Sequence, residues 1–186
     1  MRCLGCKDFM NMDNQRSLNI IFERRSVRIY APGAVTDGQV HQLLEAAMAA
    51  PSAMGKDPWR FVVVRDVKVL EDLAKLLPGG KMLPTAAAAI VVSGDMNAAF
   101  DRHIGYLIQD CSAATENLLL AANALGLGAC WVGCYPADAA IKGVRSIVRL
   151  PDSFVPVSVV ALGVPGEELP ARTRYNADSV RQGGWL

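Results

Sequence analysis

Aromatic residues are scarce: only 6% of the 186 residues are Phe, Trp or Tyr, although 52% are hydrophobic. A core built from such a chain is aliphatic, dominated by Ala, Val and Leu. Net charge is also nearly absent, at +1. No broad electrostatic field therefore calls for nucleic acid or an anionic membrane surface. Long apolar runs are missing too. The strongest, Leu118–Leu127, is interrupted by Asn123 and falls short of the roughly 18–20 residues a membrane span requires. Met1–Asn19 lacks the apolar core of a secretion signal, and the five cysteines are an odd, sparse set rather than a disulfide scaffold. A reducing, cytoplasmic setting is expected. There are only two histidines, and neither has ligand-like spacing. Cys3-x-x-Cys6 is half of a metal pattern with no second half, so no metal site is expected. Cys111, Cys130 and Cys134 read as small core residues.

What is present is a periodic pattern that predicts one domain. Residues 1–16 read as an arm and residues 17–186 as a single domain with a polar tail. Ser17–Arg24 carries Leu18, Ile21 and Phe22 at helical spacing. Thr36-Asp37-Gly38-Gln39 is a capping box opening a helix to about Ala50, with Val40, Leu43, Leu44 and Ala47 inward. Strands are predicted at Trp59–Arg65, Ala86–Ser93, Ala129–Gly133 and Val155–Gly163. Helices are predicted at Val67–Leu77, Asp101–Leu125 and Asp138–Arg149. Strands separated by helices imply an α+β domain with a mixed sheet covered on both faces. Cys111–Leu125 is small or apolar on almost every side, so that helix must be enclosed. Together with a positive mean hydropathy of +0.22, this points to a second subunit covering apolar surface.

Four segments carry chemistry. Arg24-Arg25-Ser26-Val27-Arg28 is either a solvated basic turn or a grip for a doubly charged phosphate, since guanidinium forks match phosphate oxygens. Ala50–Trp59 holds Pro51, Gly55 and Pro58 among small residues. It is either a plain helix-to-strand connection or a stiff loop able to approach a flat ligand, with Ser52 as a donor. Gly126-Leu127-Gly128 does not make a dinucleotide fingerprint, because it follows a helix and precedes a strand. Gly126 reads as a helix cap, but Trp131 and Gly133 at the strand's end could turn backbone N–H groups toward a ligand. Arg172-Thr173-Arg174 alone reads as a basic tail.

In this order, the four segments resemble the nitroreductase family of FMN enzymes. The likeness runs from about Ile20 to Arg174. It rests on Arg24–Arg28 with Tyr30, on Ala50–Trp59, on Ala122–Gly128 leading into Cys130-Trp131-Val132-Gly133, and on the final basic pair. The resemblance implies an intertwined homodimer with a mixed central sheet flanked by helices and two FMN sites. Arg24 and Ser26 would hold the phosphate and ribityl end, with Arg172 or Arg174 closing over the phosphate. Arg25 would lie on the pyrimidine or ribityl side, and Arg28 near N1 and the C2 carbonyl. Pro51, Ser52, Ala53 and Met54 would come from the partner subunit, while Trp131, Val132 and Gly133 would present backbone near N5. Two residues depart from the family pattern. Gly55 replaces an asparagine, and Asp57 replaces a glutamine and could pair with Lys56.

The resemblance further implies a reaction in two halves. NAD(P)H, as co-substrate, gives hydride to flavin N5, and a nitroaromatic, quinone or similar conjugated acceptor takes the electrons. The chemistry lies on FMN, so no catalytic side chain is expected. Two other readings remain at this point, a flavin-binding module without turnover and an O₂-using relative.

Overall fold

The computed structural model describes residues 18–185. The arm expected over 1–16, with Cys3 and Cys6, lies outside the described residues. In chain order the elements are α1 (residues 18–23), β1 (Tyr30–Ala31), α2 (Asp37–Met48), β2 (Trp59–Val64), α3 (Val67–Leu76), β3 (Ala88–Asp95), α4 (Ile104–Ala124), β4 (Gly128–Gly133), α5 (Asp138–Ile147) and β5 (Phe154–Pro165).

The strands form one sheet in the order β1-β5-β3-β2, with β4 also paired to β5. All four ladders are antiparallel. A parallel contact enters at the Ser26–Ala129 bridge. Alternate residues of each strand face opposite layers, the two-residue period of a pleated sheet. Ile90, Val92, Val160 and Leu162 pack with Leu43 of α2 and with Leu107, Ala114 and Leu118 of α4. Ala89, Val91, Val159 and Ala161 pack with Leu70 and Leu73 of α3 and Val144 of α5. Both faces are thus covered, and for that reason β3 and β5 read as nearly continuous apolar runs, with Ser93 and Ser158 buried among them, rather than alternating ones.

Local chemistry sets the element ends. Thr36 caps α2 by accepting from the Gln39 N–H, and the Gln39 side chain returns a bond to the Thr36 N–H, completing the expected capping box. α4 begins at Ile104, three residues later than the sequence suggests. Asp101 and Arg102 adopt left-handed φ of 51° and 49°, and His103 caps the helix by accepting from the Gly105 N–H at 3.1 Å. Gly126, at φ 70°, turns the chain out of α4 and into β4. β5 contains Pro156, which is tolerated because the register against β3 shifts there, between Val92 and Ser93.

α4 is enclosed by its own chain along one stripe only. Leu107, Asp110, Cys111, Ala114, Thr115, Leu118, Leu119 and Ala122 are buried. Ser112, Ala113, Glu116, Asn117 and Leu120 on the other side stay half-buried. Ala114, in the middle of the small-residue stretch, is fully buried in the core of its own chain.

Candidate functional site

Between α1 and β1 the chain is extended and lies beside the start of β4. The Val27 N–H donates to the Ala129 carbonyl at 3.0 Å, and the Val27 side chain turns inward to burial. A Cβ on Gly128 would sit 2.8 Å from Val27 Cγ1, so a glycine there lets the segment close on the sheet. With Val27 inward, Ser26 and Arg28 on either side of it face outward.

The tail completes the site. The Gly166 N–H donates to the Ile29 carbonyl at 2.8 Å, and the Arg172 N–H to the Phe22 carbonyl at 3.1 Å. Glu167 accepts two successive backbone N–H groups on one oxygen, Arg28 at 2.6 Å and Ile29 at 3.1 Å. The Arg25 guanidinium donates to the Pro170 carbonyl. These bonds bring Arg172 and Arg174 to a cavity of about 700 Å³ that Arg24, Arg25, Ser26 and Arg28 also line, with Glu167 as its one side-chain carboxylate among the described residues. Arg24 Nε pairs with Glu116 Oε1 of α4 at 3.3 Å. Arg28 Nη1 donates to the Ser26 carbonyl at 3.2 Å.

A second hollow, of about 610 Å³, adjoins the first through Arg28 and Ile29. It is lined further by Tyr30, Gly79, Lys81 and Met82. Sequence reasoning did not single out Lys81, because a lone lysine after a Gly-Gly turn carries no signal of its own.

β4 offers backbone rather than side chains. Its Ala129 carbonyl faces away from β5, toward Val27. The antiparallel two-residue period therefore turns the polar backbone of Trp131 and Gly133 outward as well. That of Val132 faces β5, and its side chain is buried in the α3/α5 layer.

Pro51, Ser52, Ala53 and Met54 do not line the arginine cavity of their own chain. Their loop is tightly internal. Ser52 Oγ donates to Asp57 Oδ1 and accepts from the Asp57 N–H at 3.0 Å. Asp57 therefore engages Ser52, and the donor that the sequence offers at Ser52 is already committed. Met54 is 76% exposed. Burial pushes the Cys111 and Cys134 thiols up to about 12, which keeps both protonated near neutral pH and inert as nucleophiles. All three described cysteines are free. Among the described residues no group of three or more His, Cys, Asp or Glu could hold a metal ion, and no helix is long and apolar enough to cross a membrane.

Fold and cavity together define an α+β domain with a cationic cradle at one end of its sheet. The model of the nitroreductase family matches residues 21–81 and 78–164. An Archaeoglobus fulgidus protein with the provisional name NADH dehydrogenase/NAD(P)H nitroreductase is 41% identical over 92% of this chain and 99% of its own. A Parabacteroides distasonis crystal structure with the same provisional name superposes with a TM-score of 0.86 at 39% identity, covering 91% of this chain and 99% of the other. A Desulfovibrio desulfuricans protein provisionally named a nitroreductase, solved in complex with FMN, gives a TM-score of 0.77 at 30% identity over 91% and 97% of the two chains. The chain belongs to the nitroreductase family.

Proposed function

We propose that the chain is an FMN-dependent oxidoreductase that takes hydride from NADH or NADPH and passes electrons to a nitroaromatic, quinone or similar conjugated acceptor. One observation carries the reading. Five arginines from opposite ends of the described chain line one cavity, in a protein whose Desulfovibrio relative was solved with FMN.

The residues fit the group. Five guanidinium groups, set against Glu167 in the lining and Glu116 on Arg24, leave a cationic site that suits a doubly charged phosphate, and the adjoining hollow has room for a flat ring system. When bound, FMN supplies the redox chemistry, taking up hydride at N5 and handing electrons on. The chain binds and orients it. Arg24, Ser26, Arg172 and Arg174 hold the phosphate and ribityl end, with Arg25 along the ribityl or pyrimidine side. Arg28, shared by both hollows, sets a cation beside the pyrimidine edge and so favours negative charge on the ring. Trp131 and Gly133 offer outward backbone groups near N5, whereas Val132 contributes by burying its side chain beneath them.

The site belongs to a homodimer in this reading, with Pro51–Met54 of one subunit over the flavin of the other. Exposed apolar residues on α1 (Leu18, Ile20, Ile21 and Phe22), exposed Met54 and the half-buried side of α4 support a second copy as the cover. Titration of purified protein with FMN, followed by flavin absorbance and fluorescence, is the test. The expected result is close to one flavin per chain. Protein that stays colourless and ignores micromolar FMN contradicts the proposal.

A further inference from the structure

Asp110 lies in the second turn of α4 and is only 5% exposed. Its Oδ1 accepts the backbone N–H of Ala53 at 2.9 Å. Its Oδ2 is buried with no hydrogen-bond partner among the described residues. A carboxylate oxygen withdrawn from water without compensation is expensive.

The segment that Asp110 holds is itself costly. Met54 and Asp57 have left-handed φ of 53° and 48°, unfavourable for residues with side chains, whereas Gly55 between them takes its φ of 61° without strain. Such conformations persist only where the surroundings over-determine them, and they concentrate where a loop must meet a ligand at a set angle. Here the Ser52–Asp57 bonds close the loop on itself, and the Asp110 bond ties it to the rigid helix. From the same helix, Glu116 reaches Arg24 of the phosphate cradle. α4 thus extends one carboxylate to the arginine segment and another to the loop.

We propose that Asp110 is a positioning residue for the flavin site. By fixing the Ala53 N–H, it sets the angle at which Pro51–Met54 meets the flavin held by the partner subunit. It does not touch the cofactor. The inference rests on the FMN reading above and adds the residue that orients half of the site. Because the loop would meet the ring and ribityl rather than the phosphate, losing the bond should weaken FMN and riboflavin equally.

The test compares wild type with Asp110→Asn, Asp110→Ala and Ala53→Pro, all as purified dimers. Asn keeps an acceptor oxygen for Ala53 and removes the charge. Proline deletes the Ala53 N–H while leaving Asp110 intact. Ala53 opens a short helical turn after an extended Ser52, a position that accepts proline. Asp110→Ala and Ala53→Pro should each lower affinity for FMN and riboflavin by about tenfold, the order of one buried hydrogen bond. Both should also shift the visible flavin spectrum. The double variant should be no worse than either single one, because both remove the same bond. Asp110→Asn should stay within about twofold of wild type in affinity, and its apo thermal midpoint should not fall.

Wild-type affinity and spectrum in Asp110→Ala or Ala53→Pro overturn the proposal. Additive losses in the double variant also overturn it, as does a flavin loss in Asp110→Asn that tracks a fall in thermal midpoint. If Asp110→Ala fails to fold, the Ala53→Pro and Asp110→Asn pair decides. A wild-type protein that binds no flavin sinks the FMN reading itself, an outcome separate from a yellow wild type whose variants are unchanged.

Discussion

Arg24 already has a partner before any ligand arrives, in Glu116 at 3.3 Å. A phosphate in the cradle would share this guanidinium or take it over, so its contribution to binding is net of that half-exposed pair. Arg24→Ala is therefore expected to cost FMN affinity about tenfold, the lower end of a charge-assisted bond. Riboflavin, which lacks the phosphate, should bind nearly as it does to wild type. Lys142→Ala, on an exposed site of α5, serves as the control and should leave both ligands unaffected. Equal losses of FMN and riboflavin in Arg24→Ala, measured by fluorescence titration, would assign Arg24 a role in folding. The arginine cluster was visible in the sequence, but alone it read equally as a solvated basic turn, and only its order with the other three segments set it apart. Glu167 and Asp110 were not, because a carboxylate reads as solvated surface until the chain that folds over it is known. Ser52 shows the converse. Its hydroxyl is plain in the sequence, but that it is spent on Asp57 is visible only in three dimensions.

Elements were most legible where caps or glycines mark their ends. α2 follows its capping box, and α4 ends where Gly126 takes a left-handed φ. Apolar pattern alone misplaced the start of α4, since the backbone of Asp101 and Arg102 overrides it. The ladder directions were illegible, because a buried strand reads the same in either orientation. The small-residue character of α4 was clear, but not which of its sides meets its own core. Ala114 meets that core, so a charge there tests folding rather than association. Leu120 lies on the half-buried side and is the better probe. Leu120→Asp is expected to retain helical circular dichroism, to shift light scattering from dimer toward monomer, and to lose flavin with the dimer. A Leu120→Asp protein that remains dimeric and fully flavinated would remove α4 from the interface.

At the scale of the whole molecule, residues from both ends of the described chain line one cavity, and the loop between α2 and β2 is not part of its lining. If the loop serves the partner's flavin, cofactor binding and association are linked, and each must strengthen the other by the same factor. A shared site of this kind calls for an extensive apolar interface, above roughly 2,000 Å² in total. The exposed α1 residues and the outer side of α4 would supply part of it.

Turnover with a nicotinamide is what would distinguish an oxidoreductase from a protein that merely holds flavin in this cradle. Its most direct test is an anaerobic titration of the purified, FMN-loaded protein, followed in the visible spectrum. NADH or NADPH should bleach the bound flavin in about one equivalent, and a quinone such as menadione should then restore the oxidised spectrum. Bound flavin that stays oxidised under excess of both nucleotides, yet is bleached by dithionite, would contradict the account.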